Sequence, residues 1–399
     1  MFNGLKVSFF LACKSIQRGN KGTSVLTVLI ISLIFVNLIF FPSVVEGVEE
    51  TLIRQSIEHV CGNVVIEPKD DQRYIDNADS IEKKINKLPG VVGTSSRYMT
   101  GATFFYNNKL KSGSVHSIDP YDEEVVTKFY SGLIAGEYLG KENTNEILLG
   151  IDISGKEGEV TGDSDLGGVQ VGDKIDVTFS NGVIRKYRVK GIFDISSINI
   201  NRYAFITEKE MESVLGVENQ ASEILVKLSQ RGTEEEYRTN FVELGISEDV
   251  KTWEEKTAGK IGSLVNSFSL LTVISTVISL IMAVVVIFII IYINTVNKKR
   301  QIGILKAIGI EQNVIINSYV IQVLFYCFCG IAVGLLLFGI ITSYLSVNPI
   351  RFPLGYVEPM VEQVLILQNI ISLIVFSLIA GFIPAWRTAN ENILKAIWG

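Results

Sequence analysis

The sequence predicts an α-helical membrane protein with four transmembrane helices and a mixed α/β extracytoplasmic domain inserted between spans one and two. Three observations predict this class. Hydrophobic residues make up 48% of the 399-residue chain and charged residues only 20%, which is more apolar than a typical soluble protein. Residues 261–297 and 312–350 contain no Asp, Glu, Lys or Arg. Residues 46–260, in contrast, hold 25 basic and 38 acidic residues.

Four apolar segments are long enough to cross a hydrocarbon core of ~30 Å, which takes about 20 helical residues. We assign them to residues 23–45, 261–296 (with a stalk before the span), 313–345 and 363–386. The first follows basic residues, as a signal peptide would. Its apolar run is too long for one, however, and no small-residue cleavage site follows. We therefore expect a retained anchor.

The distribution of Lys and Arg predicts the orientation of these spans. An amphipathic segment, residues 1–22, carries four basic side chains, and residues 297–312 carry four more. The loop 346–362 between the last two spans has only one. We expect a multi-pass protein of the cell membrane, with the 297–312 segment and both termini, including the tail 387–399, in the cytoplasm. The 46–260 domain would lie outside.

The central domain has the pattern of juxtamembrane stalk helices followed by a mixed α/β fold. The predicted strands are Asn63–Glu67, Ala102–Tyr106, Ile147–Leu149, Lys174–Phe179, Ile184–Phe193, Tyr203–Ile206 and Ile224–Leu228, and the predicted helices are Ser80–Leu88 and Glu208–Leu215. Asn181-Gly182 predicts a hairpin between two of the strands. The glycine-rich residues 155–172 predict a loop, in which Asp163 and Asp165 lack the closing glutamate of a calcium site.

No sequence signature of catalysis or of a resident cofactor is present. The chain lacks a phosphate-binding G-x-x-x-x-G-K-[ST] loop, a G-x-S-x-G elbow and an H-E-x-x-H motif. His59 and His116 have no ligand neighbours at metal spacing, so we predict surface or hydrogen-bonded histidines and no metal site. The sequence has no stripe of basic residues of the kind that binds nucleic acid. Because the spans lack ionisable Asp, Glu, Lys, Arg and His, an ion-driven carrier or channel is disfavoured.

A basic segment between spans two and three, residues 298–309, reads KKRQIGILKAIG. It resembles the (R/K)-R-x-E-I-G-I-L-(R/K)-A-(I/L)-G signature of ABC-transporter permeases of the MacB, LolC/LolE and FtsX type. Residues 381–389, GFIPAWRTA, resemble that family's C-terminal P-A-x-x-A motif. Weaker similarity covers residues 146–150, 170–175 and 187–193. The resemblance extends over essentially the whole chain, including the one-plus-three arrangement of spans.

The resemblance implies that the basic segment is a coupling helix that docks on a separate ATPase. The residues it assigns to coupling are Lys298, Lys299, Arg300, Gln301, Ile302, Gly303, Leu305, Lys306, Ala307 and Gly309, with Pro384, Ala385, Arg387 and Ala389 as the tail motif. We expect Ile302, Leu305 and Ile308 to fill an apolar groove of the ATPase while the basic side chains pair with its acidic rim. Gly303 would permit close approach, and Gly309 would end the helix.

Two positions depart from the family pattern. Gln301 replaces the usual Glu, which removes a negative charge from the expected ATPase contact. Glu391-Asn392 replaces the usual Asp-Pro near the tail.

The function that the resemblance implies is that of a permease subunit without enzymatic activity of its own, ATP being bound by a cytoplasmic ABC ATPase. A second permease protomer, in a homodimer or a paralogous heterodimer, and membrane lipid are the other expected partners. The substrate would be a lipoprotein, a peptide or a hydrophobic compound. The alternative is a transmembrane signalling subunit that controls an extracytoplasmic hydrolase or senses a peptide without transport. A neighbouring gene for a secreted hydrolase or a sensor kinase would favour the alternative.

Overall fold

The computed structural model describes residues 2–155, 165–195, 200–258, 262–352 and 355–390. It divides into two compact units. The membrane unit comprises Met1–Glu49, Val265–Arg351 and Tyr356–Gly399, and the outer unit comprises Glu50–Leu264 with Phe352–Gly355. The tail residues 391–399 and Asp163 of the glycine-rich stretch, on which sequence predictions were made, lie outside the described residues.

Between residues 64 and 257, the described ranges contain runs of strands separated by short helices. The helices are α1 (Phe2–Arg18), α2 (Lys21–Gln55), α3 (Ala78–Ile85), α4 (Pro120–Val126), α5 (Ile151–Ser154), α6 (Glu208–Leu215), α7 (Glu234–Glu243), α8 (Trp253–Thr257), α9 (Ser263–Asn297), α10 (Lys299–Ala307), α11 (Gln312–Val347) and α12 (Gln363–Ala389). The strands are β1 (Val64–Glu67), β2 (Ile75–Asp76), β3 (Val91–Arg97), β4 (Met99–Tyr106), β5 (Lys109–Ile118), β6 (Leu133–Gly136), β7 (Glu146–Gly150), β8 (Lys174–Phe179), β9 (Ile184–Phe193), β10 (Tyr203–Thr207), β11 (Gln220–Ala221), β12 (Glu223–Leu228), β13 (Asp249–Thr252), β14 (Ile350–Phe352) and β15 (Gly355–Val357).

Four helices of the described chain, α2, α9, α11 and α12, are long and apolar enough to cross a membrane. Their shared core contains Phe35 and Ile39 of α2, Ile287 of α9, Val323 of α11 and Leu373 of α12. Most other large apolar side chains of α9 are exposed, as expected for a helix that faces lipid or another protein. The number of candidate spans agrees with the sequence prediction.

The N-terminal helix α1 lies against α11 within the membrane unit. The Ser8 hydroxyl donates a hydrogen bond to the Val314 carbonyl at 2.9 Å, and the Ser15 hydroxyl donates to Gln322 at 3.1 Å. The opposite side of α1 exposes large apolar side chains, including Phe9. Such a helix has the character of an interfacial membrane helix.

The outer unit is built on two main sheets. The smaller sheet has the strand order β13-β1-β12-β3 and is antiparallel throughout. The larger sheet has the order β6-β9-β7-β10-β5-β4-β8, and β8 also pairs with β9, so that six strands form a closed ring of pairings. Only the β7–β9 and β10–β5 pairs are parallel in this sheet.

The structure confirms every strand predicted from the sequence, β8 and β9 with the predicted bounds and the others with shifted ends, and adds several that were missed. The β8–β9 hairpin around Asn181-Gly182 is confirmed: the Gly182 amide donates to the Phe179 carbonyl at 2.9 Å. The strands β3 and β5 and the region of α7 and β13 were missed. Because β3 and β5 are rich in Ser and Gly, their composition does not indicate strands, and pairing with β12 and β4 forms them.

One prediction about the outer unit was wrong. His116 was expected at the surface or in a hydrogen bond, but it is buried, and its ring stacks on Tyr203 at 4.2 Å between centroids. Its Nδ1 atom has no hydrogen-bond partner among the described residues. Burial and the nearby Arg97 charge keep the pKa of His116 well below its ordinary value, so the imidazole is neutral.

Candidate functional site

The helix α10 occupies most of the basic segment and is held tightly between two apolar helices. A single residue, Lys298, separates it from α9, and four residues, 308–311, connect it to α11. The Ile302 amide donates to the Lys298 carbonyl at 2.9 Å, so the first turn of α10 begins directly after α9 ends. The sequence prediction of a helix in this segment is therefore confirmed.

One face of α10 packs inside the membrane unit. Ile302 is only 3% exposed and belongs to the same core cluster as Ile315 and Tyr319 of α11. Gly303 is buried beside it, and Leu305 packs against the cluster. Ile302 is therefore used in the protein's own core, and Leu305 is half-buried against it. That these two side chains fill a groove of a partner stays a prediction, which the packing of Ile302 does not favour.

The opposite face of α10 carries a different set of exposed residues. Ile304 is 47% exposed and Ile308 is 72% exposed, and Arg300 lies one helical turn before Ile304 on the same side. Gln301 and Ala307 are also exposed. Ile304 was missed in the sequence analysis because the run Ile-Gly-Ile-Leu offers two apolar stripes, and spacing alone does not say which one is internal.

The basic side chains of the segment differ in their availability. The Lys298 ammonium donates to the hydroxyl of Ser15, and Lys306 donates to the backbone carbonyl of Ala389 at 2.7 Å. Arg300, in contrast, is exposed, and Lys299 is half-buried. Lys298 and Lys306 therefore have structural roles within the chain, and Arg300 is the cation best placed to meet a partner.

The end of α10 has the geometry of a Schellman motif. The Gly309 amide donates to the Lys306 carbonyl at 3.0 Å, and the Ile310 amide donates to the Leu305 carbonyl at 3.1 Å. Gly309 has a φ of +95°, in the left-handed region that favours glycine. The predicted role of Gly309 in ending the helix is confirmed.

The tail motif meets α10 in the structure. Pro384, Ala385 and Ala389 are buried residues of α12, and Arg387 is exposed. Because the Ala389 carbonyl accepts the hydrogen bond from Lys306, the two motifs, far apart in sequence, form one site.

The outer unit contains an acidic cavity of about 330 Å³. Two of its carboxylates are paired, Asp119 with Lys141 at 2.5 Å and Glu142 with Lys209 at 2.6 Å. Burial, together with the charge of Glu212, raises the pKa of Glu208 to about 7. No sequence pattern predicts this cavity, because its lining residues come from separate segments of the chain.

Two family models match the chain. Residues 24–243, more than half of the sequence, match the MacB-like periplasmic core domain. Residues 273–393 match the FtsX-like permease C-terminal region, which includes α10 and the tail motif.

Two solved structures of transporter regions outside the membrane are similar to about half of the chain. The periplasmic region of MacB from Actinobacillus actinomycetemcomitans is 13% identical, with 49% of this chain and 92% of that chain covered at a TM-score of 0.36. The extracellular domain of the noncanonic ABC-type transporter YknZ from Gram-positive bacteria is 11% identical, with 48% and 97% covered at a TM-score of 0.35. The family to which this chain belongs is shown by the two family models and not by these structural similarities.

Proposed function

Because this chain belongs to the MacB/FtsX-like family of ABC-transporter permeases, we propose that its α10 couples a separate cytoplasmic ATPase to movement of the outer unit. The observation that carries the proposal is the exposed face of α10, with Arg300, Ile304 and Ile308. Large exposed apolar side chains beside a cation, outside the spans, are typical of a surface that binds another protein. This face keeps Ile308 and Arg300 of the set expected from the sequence and adds Ile304.

The helix α10 is fixed to the rest of the membrane unit by several contacts, as a helix that transmits force requires. Its internal face is packed in the core through Ile302, its end is fixed by the Gly309 turn, and Lys306 ties it to α12. A displacement of α10 by the ATPase would therefore displace the spans as well.

In this proposal, the helix α2 transmits the movement of the membrane unit to the outer unit. It runs without interruption from Lys21 to Gln55, which corresponds to about 52 Å at ~1.5 Å per residue, longer than the ~30 Å hydrocarbon core. Its last turns belong to the outer unit, where Glu50 pairs with Arg231 at 2.6 Å. Arg231 also lies over the Trp253 ring at 5.7 Å. In this proposal, these contacts anchor the end of α2 in the outer unit.

The proposed substrate is a lipoprotein, a peptide or a hydrophobic compound taken from the outer leaflet or the outer space. The absence of charged residues from the sequences of the four spans supports mechanical work over passage of an ion through the membrane. The proposal includes a second permease protomer, as a homodimer or a paralogous heterodimer.

The test uses the full chain in lipid nanodiscs together with its candidate ATPase. We expect the permease to stimulate ATP hydrolysis, and ATP to change the distances between spin labels in the outer unit. The double variant Ile304→Glu/Ile308→Glu should lose roughly tenfold of this stimulation, because it places charge on an apolar contact. The matched control is Ile184→Glu, an exposed isoleucine of β9 in the outer unit, which should stimulate like the wild type.

Two results would overturn the proposal. One is equal stimulation by the double variant and the control. The other is a set of label distances that does not change with ATP while the ATPase remains bound. Movement of the outer unit without transport of any substrate would instead favour the signalling role.

A further inference from the structure

A second cavity, of about 420 Å³, lies within the membrane unit between α1, α10 and α11. Three basic residues line it, Lys14 and Arg18 of α1 and Lys298. Its described lining contains no carboxylate and includes apolar side chains such as Leu11 and Ile315. The cavity thus combines a concentration of positive charge with an apolar surface.

The three cations lack the counter-charges that surface cations commonly have. Within the part of the chain that the structure describes, Lys14, Arg18 and Lys298 form no ion pair. Lys14 donates only a long hydrogen bond of 3.5 Å to Gln17. Lys298 is held by Ser15, a neutral partner. Bringing three like charges together without an anion is unfavourable, and a bound anion would relieve the repulsion.

The position of the cavity indicates the source of that anion. Lys298 directly follows the apolar helix α9, so the cavity lies at the level where a span leaves the hydrocarbon. The helix α1 exposes Phe9 and Phe10, which suits burial among lipid chains. Basic cavities between transmembrane helices at this level are suited to anionic lipid headgroups.

We propose that this cavity binds an anionic phospholipid. The phosphodiester would lie among Lys14, Arg18 and Lys298, and the first part of an acyl chain would lie along Leu11 and Ile315. The site bridges α1 to the connection between α9 and α10, so a bound lipid would brace that connection. Ile304 of the proposed ATPase face also lines this cavity, so lipid binding is tested on the permease alone, without an ATPase.

The test measures lipid retention by the purified full chain, without an ATPase, by native mass spectrometry. Phosphatidylglycerol and phosphatidylcholine are supplied in equal amounts, and we expect phosphatidylglycerol to be retained preferentially. The double variant Lys14→Gln/Arg18→Gln should lower its retention roughly tenfold. The matched control is Lys6→Gln/Lys21→Gln, which removes the same charge from the same segment of the chain but not from the cavity lining.

A second variant separates a lipid from a free phosphate. Leu11→Trp keeps all three cations but fills the apolar part of the cavity, so it should also lower phosphatidylglycerol retention. An excess of inorganic phosphate should not displace the lipid. The proposal is overturned if the two double variants retain lipid equally, if phosphatidylcholine is held as well as phosphatidylglycerol, or if inorganic phosphate displaces the lipid while Leu11→Trp has no effect.

Discussion

Arg97 and Glu123 form a buried, two-point ion pair in the outer unit. The Arg97 Nε donates to Glu123 Oε2 at 3.1 Å and Nη2 donates to Oε1 at 2.5 Å, with side-chain exposures of 2% and 0%. The third nitrogen, Nη1, donates to the Val60 carbonyl at 2.8 Å. Val60 lies in the π-helical turn Ser56–Cys61 that continues from α2. The pair therefore fixes the point where the chain enters the sheets of the outer unit.

Replacing Arg97 by Leu is expected to lower the free energy of unfolding of the outer unit by about 3–5 kcal/mol. The loss is large because the Glu123 carboxylate would remain buried without its counter-charge. The thermal unfolding transition of the full chain in nanodiscs provides the measurement. Arg238→Leu is the control, since its pair with Glu255 is exposed and worth about 1 kcal/mol or less. Equal destabilisation by both changes would contradict the prediction.

Acidification is expected to weaken the same pair. Burial alone would raise the pKa of Glu123, but the charge and hydrogen bonds of Arg97, with bonds from Thr127 and Ser95, hold it below its ordinary value. A carboxyl group whose pKa is lower in the folded than in the unfolded state stabilises the folded state at pH values above its unfolded pKa, about 4.3. This stabilisation is lost as the pH falls through the folded-state pKa. Unfolding temperatures of wild type and Arg97→Leu should therefore converge below about pH 4. A constant difference between pH 7 and pH 3 would argue against this contribution.

Glu82→Gln is expected to have the opposite pH dependence. Burial, followed by the charges of Asp122 and Glu208, raises the pKa of Glu82 to about 8. A raised folded-state pKa gives stability that is fully present below about pH 4.3 and is lost as the pH rises to about 8. The glutamine cannot ionise, so the variant should be more stable at pH 8 by at most about 5 kcal/mol, and equal near pH 4. Unfolding temperatures at both pH values test this, with the exposed Glu124→Gln as control.

Two isoleucines of the coupling segment should respond differently to truncation. Ile302→Ala is expected to destabilise the membrane unit by about 2–4 kcal/mol, because it leaves a cavity in a packed core. Ile308→Ala removes an exposed side chain and should change stability by less than about 0.5 kcal/mol while lowering ATPase stimulation. Unfolding in detergent and ATPase assays on the same preparations separate the two effects. If Ile308→Ala proved the more destabilising change, the assignment of the two faces would be reversed.

Gly47→Ala is expected to disturb the contact between α2 and the loop that precedes α12. A Cβ atom at Gly47 would lie 2.0 Å from the carbonyl oxygen of Glu358, which is a backbone atom and cannot rotate away. The neighbouring Met360 amide donates to the Ser43 carbonyl at 2.9 Å, so the loop is held in place. We expect a loss of about 1–3 kcal/mol in thermal unfolding. Gly339→Ala in α11, where no atom lies within 4 Å of the new Cβ, should cause no such loss.

The sequence predicted the features that depend on composition and local pattern. Long uncharged runs predicted the four apolar helices, and Asn181-Gly182 predicted a hairpin, because both signals depend on residues that are close together in sequence. The internal face of α10 was not predictable, because Ile302 and Ile304 are chemically alike and only packing against α11 distinguishes them. The strand β5 and the burial of His116 likewise depend on partners far away in sequence.

The link between α10 and α11 has a mechanical consequence. Gly309 and Ile310 close the end of α10 with two backbone hydrogen bonds, and Glu311 is the last residue before α11 starts at Gln312. So short and hydrogen-bonded a connection transmits a displacement of α10 directly to α11. Lengthening it by a few flexible residues would leave both helices folded but would uncouple their movements.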